Sequence, residues 1–403
     1  MSERREKMKV AGIIAEYNPF HKGHELLIKK ARENGATHVV IVMSGNYVQR
    51  GEPAMFSQRS RTEAALACGA DLVIQLPVVY AVSGAQKFAQ AGVGILDALG
   101  CIDELVFGSE CGDSDLIVSA AREVYSSRVQ MLISQEIKKG ITFAKARENA
   151  LRSVSGKTAD IIREPNNILG VEYAAAIGKY SSSMKPVTFR RFGAGHGSSD
   201  ETDGIASASH IRELISRGEE WRKFIPEAAA DIFEKDINEK KIVVNYNKFE
   251  TAVLYKLRTS TREELALSPD VSEGIENRIL DASAQATGLE ELYQLAKTKR
   301  YTHARIRRII LNHVLGITAQ ELSQPVPYIR LLGLNGRGAE LLKLTKESRK
   351  LPLIAKTSDI SEVGIEAQRL FETECRASDI YALLTEKCTS CGTEKDFSPV
   401  IAK

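Results

Sequence analysis

An α/β fold with a parallel sheet, followed by a mainly helical domain, is the fold class this sequence predicts. Three observations predict it. Short β-branched runs alternate with helical patterns through the first half, as βαβ units do. Beyond Ile237 such runs thin out and amphipathic patterns dominate. The chain has 403 residues, too many for one ordinary domain.

Taken in order, the strand candidates are Lys9 to Ala15, Thr37 to Met43, Asp71 to Leu76 and Glu104 to Phe107. Helical stretches His24 to Asn34, Ser57 to Cys68 and Gly84 to Leu99 lie between them. A helix over Asn167 to Lys179, a strand over Pro186 to Phe192 and a helix over Ser207 to Arg217 carry the pattern on. The expected first domain is residues 8–235. Right-handed crossovers would place its site at the carboxyl ends of the strands, just after Ala15, Met43 and Phe107. Residues 236–403 form the expected helical domain, with helices over Lys248 to Leu257, Val271 to Ala286, Leu289 to Lys297, Thr302 to Val314 and Gly364 to Leu384.

Hydrophobic residues make up 43% and charged residues 27% of the chain, as in soluble globular proteins. No apolar run approaches the roughly 20 residues of a membrane helix. Met1 to Lys7 is charged with no apolar core behind it, so no secretory leader is expected. Six cysteines are too few for a disulfide framework, and a reducing, cytoplasmic setting follows. Cys388 and Cys391 form a CxxC near Cys375, but no fourth ligand closes a zinc site, so no metal centre is expected. Net charge is +3. Its distribution is uneven: Lys297 to Lys350 holds twelve Lys or Arg against three Glu, a candidate polyanion surface.

The sharpest feature is Glu16-Tyr17-Asn18-Pro19-Phe20-His21-Lys22-Gly23-His24, an HxGH motif between the first strand and the first helix. Pro19 fixes a turn, Gly23 leaves room for phosphate, and the helix opening at His24 offers free N–H groups to an anion. Two imidazoles three residues apart can donate to phosphate oxygens. The alternative, polar loop residues, loses weight because of the strand before and the helix after. A metal site lacks a third ligand.

GIIAEYNPFHKGH followed by VMSGNYVQRGEPAMFSQRSR resembles the bacterial tRNA(Met) cytidine acetate ligase family, a branch of the HIGH-motif nucleotidyltransferases. The similarity continues through DLVIQLP, LVFGSE, PNNILGVEY, RRFGAGH, EGIENRI, KTKRYTHARIRRII and YIRLLGLNGRG, from about Lys9 to Leu384. The CxxC lies beyond it. The resemblance implies a Rossmann-like nucleotidyltransferase domain followed by a tRNA-binding helical domain. It also implies a reaction: ATP, with Mg2+, and acetate give acetyl-adenylate, and acetyl passes to N4 of the wobble cytidine in the anticodon of elongator methionine tRNA.

The resemblance puts His21 and His24 on the phosphates and lines the nucleotide pocket with Ile14, Ala15, Glu16, Tyr17, Asn18, Pro19, Phe20, Lys22 and Gly23. Further ATP contacts carried over are Gly108, Asn166 or Asn167, Arg191, Phe192 and Ser209. Taken singly, Gly108 also reads as a turn glycine, the Asn pair as a helix cap and Arg191 as a surface charge. Arg59 and Arg61, in the long polar segment Ser44 to Arg61, are candidates to guide tRNA or to cover the site. Lys297, Lys299, Arg300, Arg305, Arg307 and Arg308, interleaved with Tyr301 and His303, suit phosphate contacts and base stacking. Two other readings use the same motifs. One is an adenylyltransferase for a small phosphorylated metabolite of the pantetheine or nicotinamide type, which leaves the basic half without a role. The other is a nucleotide-gated RNA-binding protein, against which the intact histidine pair speaks.

Overall fold

The computed structural model describes residues 8–191 and 204–403. Ten strands follow the chain: β1 (Val10–Ala15), β2 (His38–Ser44), β3 (Tyr47–Val48), β4 (Glu52–Pro53), β5 (Leu72–Leu76), β6 (Glu104–Ser109), β7 (Lys185–Arg190), β8 (Ile329–Leu334), β9 (Leu353–Ile354) and β10 (Val400–Ile401). The main sheet runs β10-β8-β5-β2-β1-β6-β7, with β9 beside β8, and β3 and β4 pair as a separate hairpin. Every pairing in the main sheet is parallel except β5 with β8.

The continuous apolar runs read as strands because both faces of the sheet are covered. Along β2, Val40 and Val42 face one core while Val39, Ile41 and Met43 face the other, the period-2 alternation of a strand between two helical layers. Residues of the helices Lys22–Glu33, Gln58–Ala67 and Glu227–Asn238 pack in one core; those of Ala85–Leu99 and Pro165–Lys179 pack in the other. That second core continues without a break into the helices of residues 247–384.

The chain builds outward from β1 to β2 and β5, then crosses back to β6 on the other side. The reversal opens a crevice beyond the carboxyl ends of β1 and β6, where open α/β sheets bind ligands.

Two features depart from the expected elements. Four further helices, Ser114–Val124, Ser127–Lys138, Phe143–Val154 and Gly156–Ile161, precede the expected Pro165–Lys179 in the β6–β7 crossover. β8 and β10 return from the segment expected to be helical, and β8 covers the outer edge of β5, with Leu72 opposite Leu334. The sheet therefore takes residues from both sides of residue 236.

A buried charge network pins β8. Arg330, only 2% exposed, lies 2.6 Å from Glu394 and donates to Gln75 of β5 at 3.2 Å. Glu374, on the helix Ile365–Leu384, accepts the Val78 N–H at 2.8 Å. Burial, and then the Glu394 charge, push its carboxyl up to about 8. Folded protein thus keeps a proton that the unfolded chain releases above its ordinary 4.5, so this group erodes stability as pH rises between those values. Glu374→Gln keeps an acceptor for Val78 and carries no charge. Its melting temperature is expected to match the parent near pH 5 and exceed it near pH 9; equal melting at both would refute the raised carboxyl.

Candidate functional site

The HxGH segment leaves β1 through Tyr17, a non-glycine residue in the left-handed region at φ 52, and passes a cis Asn18–Pro19 bond. His21 is the N-cap of the helix Lys22–Glu33. Its Nδ1 accepts the Gly23 N–H at 3.0 Å, and the His24 Nδ1 accepts the His21 N–H at 3.2 Å. This reciprocal capping box uses two imidazoles where a hydroxyl and a carboxylate usually serve.

Tautomers follow from these bonds. An Nδ1 that accepts carries no proton, so each neutral ring holds its proton on Nε2. Burial, and then Arg191, hold His21 down to about 3; burial, then His21 and Arg191, hold His24 well below its usual value. Both rings are neutral donors at physiological pH, stacked with centroids 3.7 Å apart. Gly23 has a different reason from the expected one: a Cβ there would lie 2.8 Å from the His21 ring, so glycine lets the imidazole fold back over the helix terminus.

These rings open on a cleft of about 580 Å³ at the sheet's reversal. Ile14, Ala15, Glu16, Tyr17, Asn18, Gly108, Asn166, Arg191 and Ser209 line it. Gly23 lines an adjoining hollow with His21, His24 and Arg191. Pro19, Phe20 and Lys22 line neither. Phe20 is wholly buried in the core, edge-on to Tyr17, so it supports the turn from behind. Phe192 lies outside the described residues.

Arg191 donates to the Asn166 Oδ1 at 2.7 Å. A Cβ on Gly108 would stand 2.9 Å from the Arg191 Cγ, so glycine here makes way for the arginine. Asn167 is a correction to its expected ATP contact. It is buried, and its Oδ1 accepts the Glu110 and Cys111 N–H groups at 3.1 Å. Glu110, which nothing in its sequence context singles out, receives the backbone N–H groups of Asn166 and Asn167 at 3.2 and 2.8 Å and the Asn166 amide at 2.6 Å, fixing both.

Ser207 caps the helix Ala208–Arg217, whose first turn opens on the cleft at Ala208 and Ser209. Free N–H groups there suit an anion. Arg212, one turn on, donates to the Asn18 carbonyl at 2.8 Å and lies 3.3 Å from Glu52, tying the HxGH loop to the β3–β4 hairpin.

The arginines expected on RNA divide. Arg61 is fully buried; it donates to the carbonyls of Phe56 at 3.0 Å, Glu16 at 2.5 Å, Ser44 at 3.1 Å and Gly45. It holds the loop after β2 and cannot meet RNA. Arg59 stays at the surface, paired with Glu63. Lys297, Lys299 and Arg300 are exposed, with Arg300 2.7 Å from Glu273. Arg305 stacks on Tyr301 at 4.3 Å, and Arg307 on Tyr293 at 4.9 Å. Tyr301 is buried with its hydroxyl donated to the Ser272 carbonyl at 2.5 Å, so it supports Arg305 and offers no face to a base. His303 is half-buried. Arg308 turns inward: with Ala304 it lines the same cleft, burial lowers its pKa, and its Nε is buried without a partner among the described residues.

Some of the buried unpaired donors among the described residues belong to this cleft, and others lie elsewhere. Asn18 Nδ2, Gln49 Nε2 and Arg308 Nε belong to lining residues, and each is buried without an acceptor among the described residues. Buried donors are ordinarily paired; together with two Nε2–H imidazoles they suit a ligand rich in acceptor oxygens.

Comparison with known proteins agrees with this geometry. A family profile described as HIGH Nucleotidyl Transferase matches residues 8–396. The tRNA(Met) cytidine acetate ligase of Thermoanaerobacter sp. (strain X514) is 39% identical, covering 96% of this chain and 98% of that protein. Its namesake from Listeria monocytogenes is 38% identical, over 94% of this chain and 95% of that protein. The crystal structure of apo Thermotoga maritima TmcAL superposes with a TM-score of 0.93 at 31% identity, covering 98% of this chain and 99% of that one. TmcAL bound with alpha-thio ATP gives 0.91 at 32% identity and the same coverage. With a family match over residues 8–396 and full-length likeness to these proteins, the chain belongs to the HIGH nucleotidyl transferase family, in its tRNA(Met) cytidine acetate ligase branch.

Proposed function

We propose that the protein is an ATP-dependent ligase that makes acetyl-adenylate and transfers acetyl to N4 of the wobble cytidine of elongator tRNA(Met). The observation that carries this reading is the pair of neutral imidazoles whose Nε2–H groups remain to donate at the mouth of an anion-binding helix terminus. Acetate attacks the α-phosphorus, the P–O bond to pyrophosphate breaks, and pyrophosphate leaves. Catalysis of that step is positioning and stabilisation of charge on the phosphate oxygens. His21 and His24 donate to those oxygens, Arg191 adds a guanidinium, and Ser209 presents a helix terminus. Among the described residues no group of three or more His, Cys, Asp or Glu is gathered to hold a metal; Mg2+ would arrive on the phosphates of ATP, keeping waters as its other ligands.

In this reading residues 8–235 activate the acid and residues 236–403 hold the tRNA, with exposed Lys297, Lys299 and Arg300 at its backbone and Arg308 reaching the cleft. No helix among the described residues is long and apolar enough to cross a membrane, and the cytoplasm is the proposed location. Purified protein incubated with ATP, radiolabelled acetate and total bacterial tRNA is expected to yield label in N4-acetylcytidine, and none without ATP. ATP cleavage with no label in RNA would move the reading to a small-molecule adenylyltransferase.

A further inference from the structure

The second half-reaction has a proton to place. When the exocyclic amine of cytosine attacks the acetyl carbonyl, the C–N bond forms, the C–O bond to AMP breaks, and AMP keeps the electron pair. One amine proton must leave. Each group lining the cleft can be tested as its acceptor.

His21 and His24 are excluded: their Nδ1 atoms are engaged by backbone N–H groups, and their Nε2 atoms already carry protons. Tyr17 and Tyr173 hold their protons, since burial raises both phenols. Glu52 is ion-paired with Arg212. Glu16 differs from all of these. Its Oε1 accepts the Gln49 N–H at 2.6 Å, its backbone carbonyl is gripped by Arg61 at 2.5 Å, and no ion pair to its carboxylate occurs among the described residues. It directly follows β1 and lines the cleft together with Gln49, Arg50 and Arg308.

We propose that Glu16 is the general base of acetyl transfer, its carboxylate taking the amine proton and releasing it to solvent once AMP has left. This rests on the ligase reading above. The setting suits the task. Burial raises the carboxyl's pKa, while the Gln49 N–H and the charges of Arg50 and Arg61 lower it and Glu52 raises it, which brings a carboxylate toward the range where a base works at neutral pH.

Glu16→Gln separates the base from the brace, because the amide oxygen still accepts the Gln49 N–H. Preformed acetyl-adenylate on the enzyme is mixed with tRNA(Met) in a single turnover, and acetate-dependent ATP–pyrophosphate exchange is measured in parallel. Transfer is expected to fall about 10²–10⁴-fold, far more than exchange does. Wild-type transfer is expected to decline as pH drops through one ionisation, and the residual rate of the variant to lack that limb. Equal losses in exchange and transfer, or a variant that transfers at the wild-type rate, would overturn the assignment. Should the variant fold poorly, the wild-type pH profile decides: transfer independent of pH from about 5 to 8 excludes a carboxylate base. Wild-type enzyme that forms adenylate yet acetylates no tRNA sinks the ligase reading itself, and this assignment with it.

Discussion

His21→Asn is expected to abolish acetate-dependent ATP–pyrophosphate exchange, by about 10²–10³-fold, the usual consequence of removing one preorganised donor from a developing oxyanion. Asparagine is chosen because its Oδ1 can take over the N-cap bond to Gly23 that Nδ1 makes now. The change then keeps the cap and removes the Nε2–H donor together with the ring that stacks on His24. Melting should move little while exchange collapses. His24→Asn is expected to behave alike, and the double variant to lose far less than the product of the two, because the stacked rings act on one group of phosphate oxygens. Exchange within a few-fold of the parent in His21→Asn, with the fold intact, would show that the imidazoles serve only to cap the helix.

Arg61→Met carries the largest expected cost in stability. The guanidinium satisfies the carbonyls of Phe56, Glu16, Ser44 and Gly45, and a thioether leaves them buried without donors. Each such acceptor costs about 1–3 kcal/mol, though the loop can relax and recover part of this; a net loss of about 3–5 kcal/mol in urea unfolding is expected. Activity falls with the fold, since the loop braces Glu16. An RNA-contacting arginine would behave otherwise, losing tRNA affinity with an unchanged unfolding midpoint. Comparing denaturation with tRNA binding for Arg61→Met and Arg59→Met distinguishes the two roles.

The parallel strands were legible because runs such as Val39 to Met43 are buried on both faces, and a short, mostly β-branched apolar run favours a strand. The site was legible as a place, since HxGH stood between a strand and a helix. What escaped was the destination of long charged side chains. Arg59 and Arg61 sit two residues apart on one helix, and only folding sends one to solvent and the other into a nest of carbonyls. Arg308 likewise cannot be told from Lys297 without the packing of its helix against the loop at Gly51, where a Cβ would meet the Arg307 backbone at 2.7 Å. β8 was hidden for a related reason. Arg330 interrupts its apolar run, and the carboxylate that makes its burial tolerable is Glu394, distant in sequence.

β8 also bears on how the chain is born. β5 leaves the ribosome more than 250 residues before the strand that covers its edge, and a bare apolar edge is an invitation to pair with a neighbouring chain. Through most of translation the nascent protein carries that edge open, so its yield should depend on holdase chaperones and on elongation speed more than its final stability would suggest. The cleft is completed late for the same reason: the arginine that reaches it and the strand that closes the sheet are both encoded in the last third of the message.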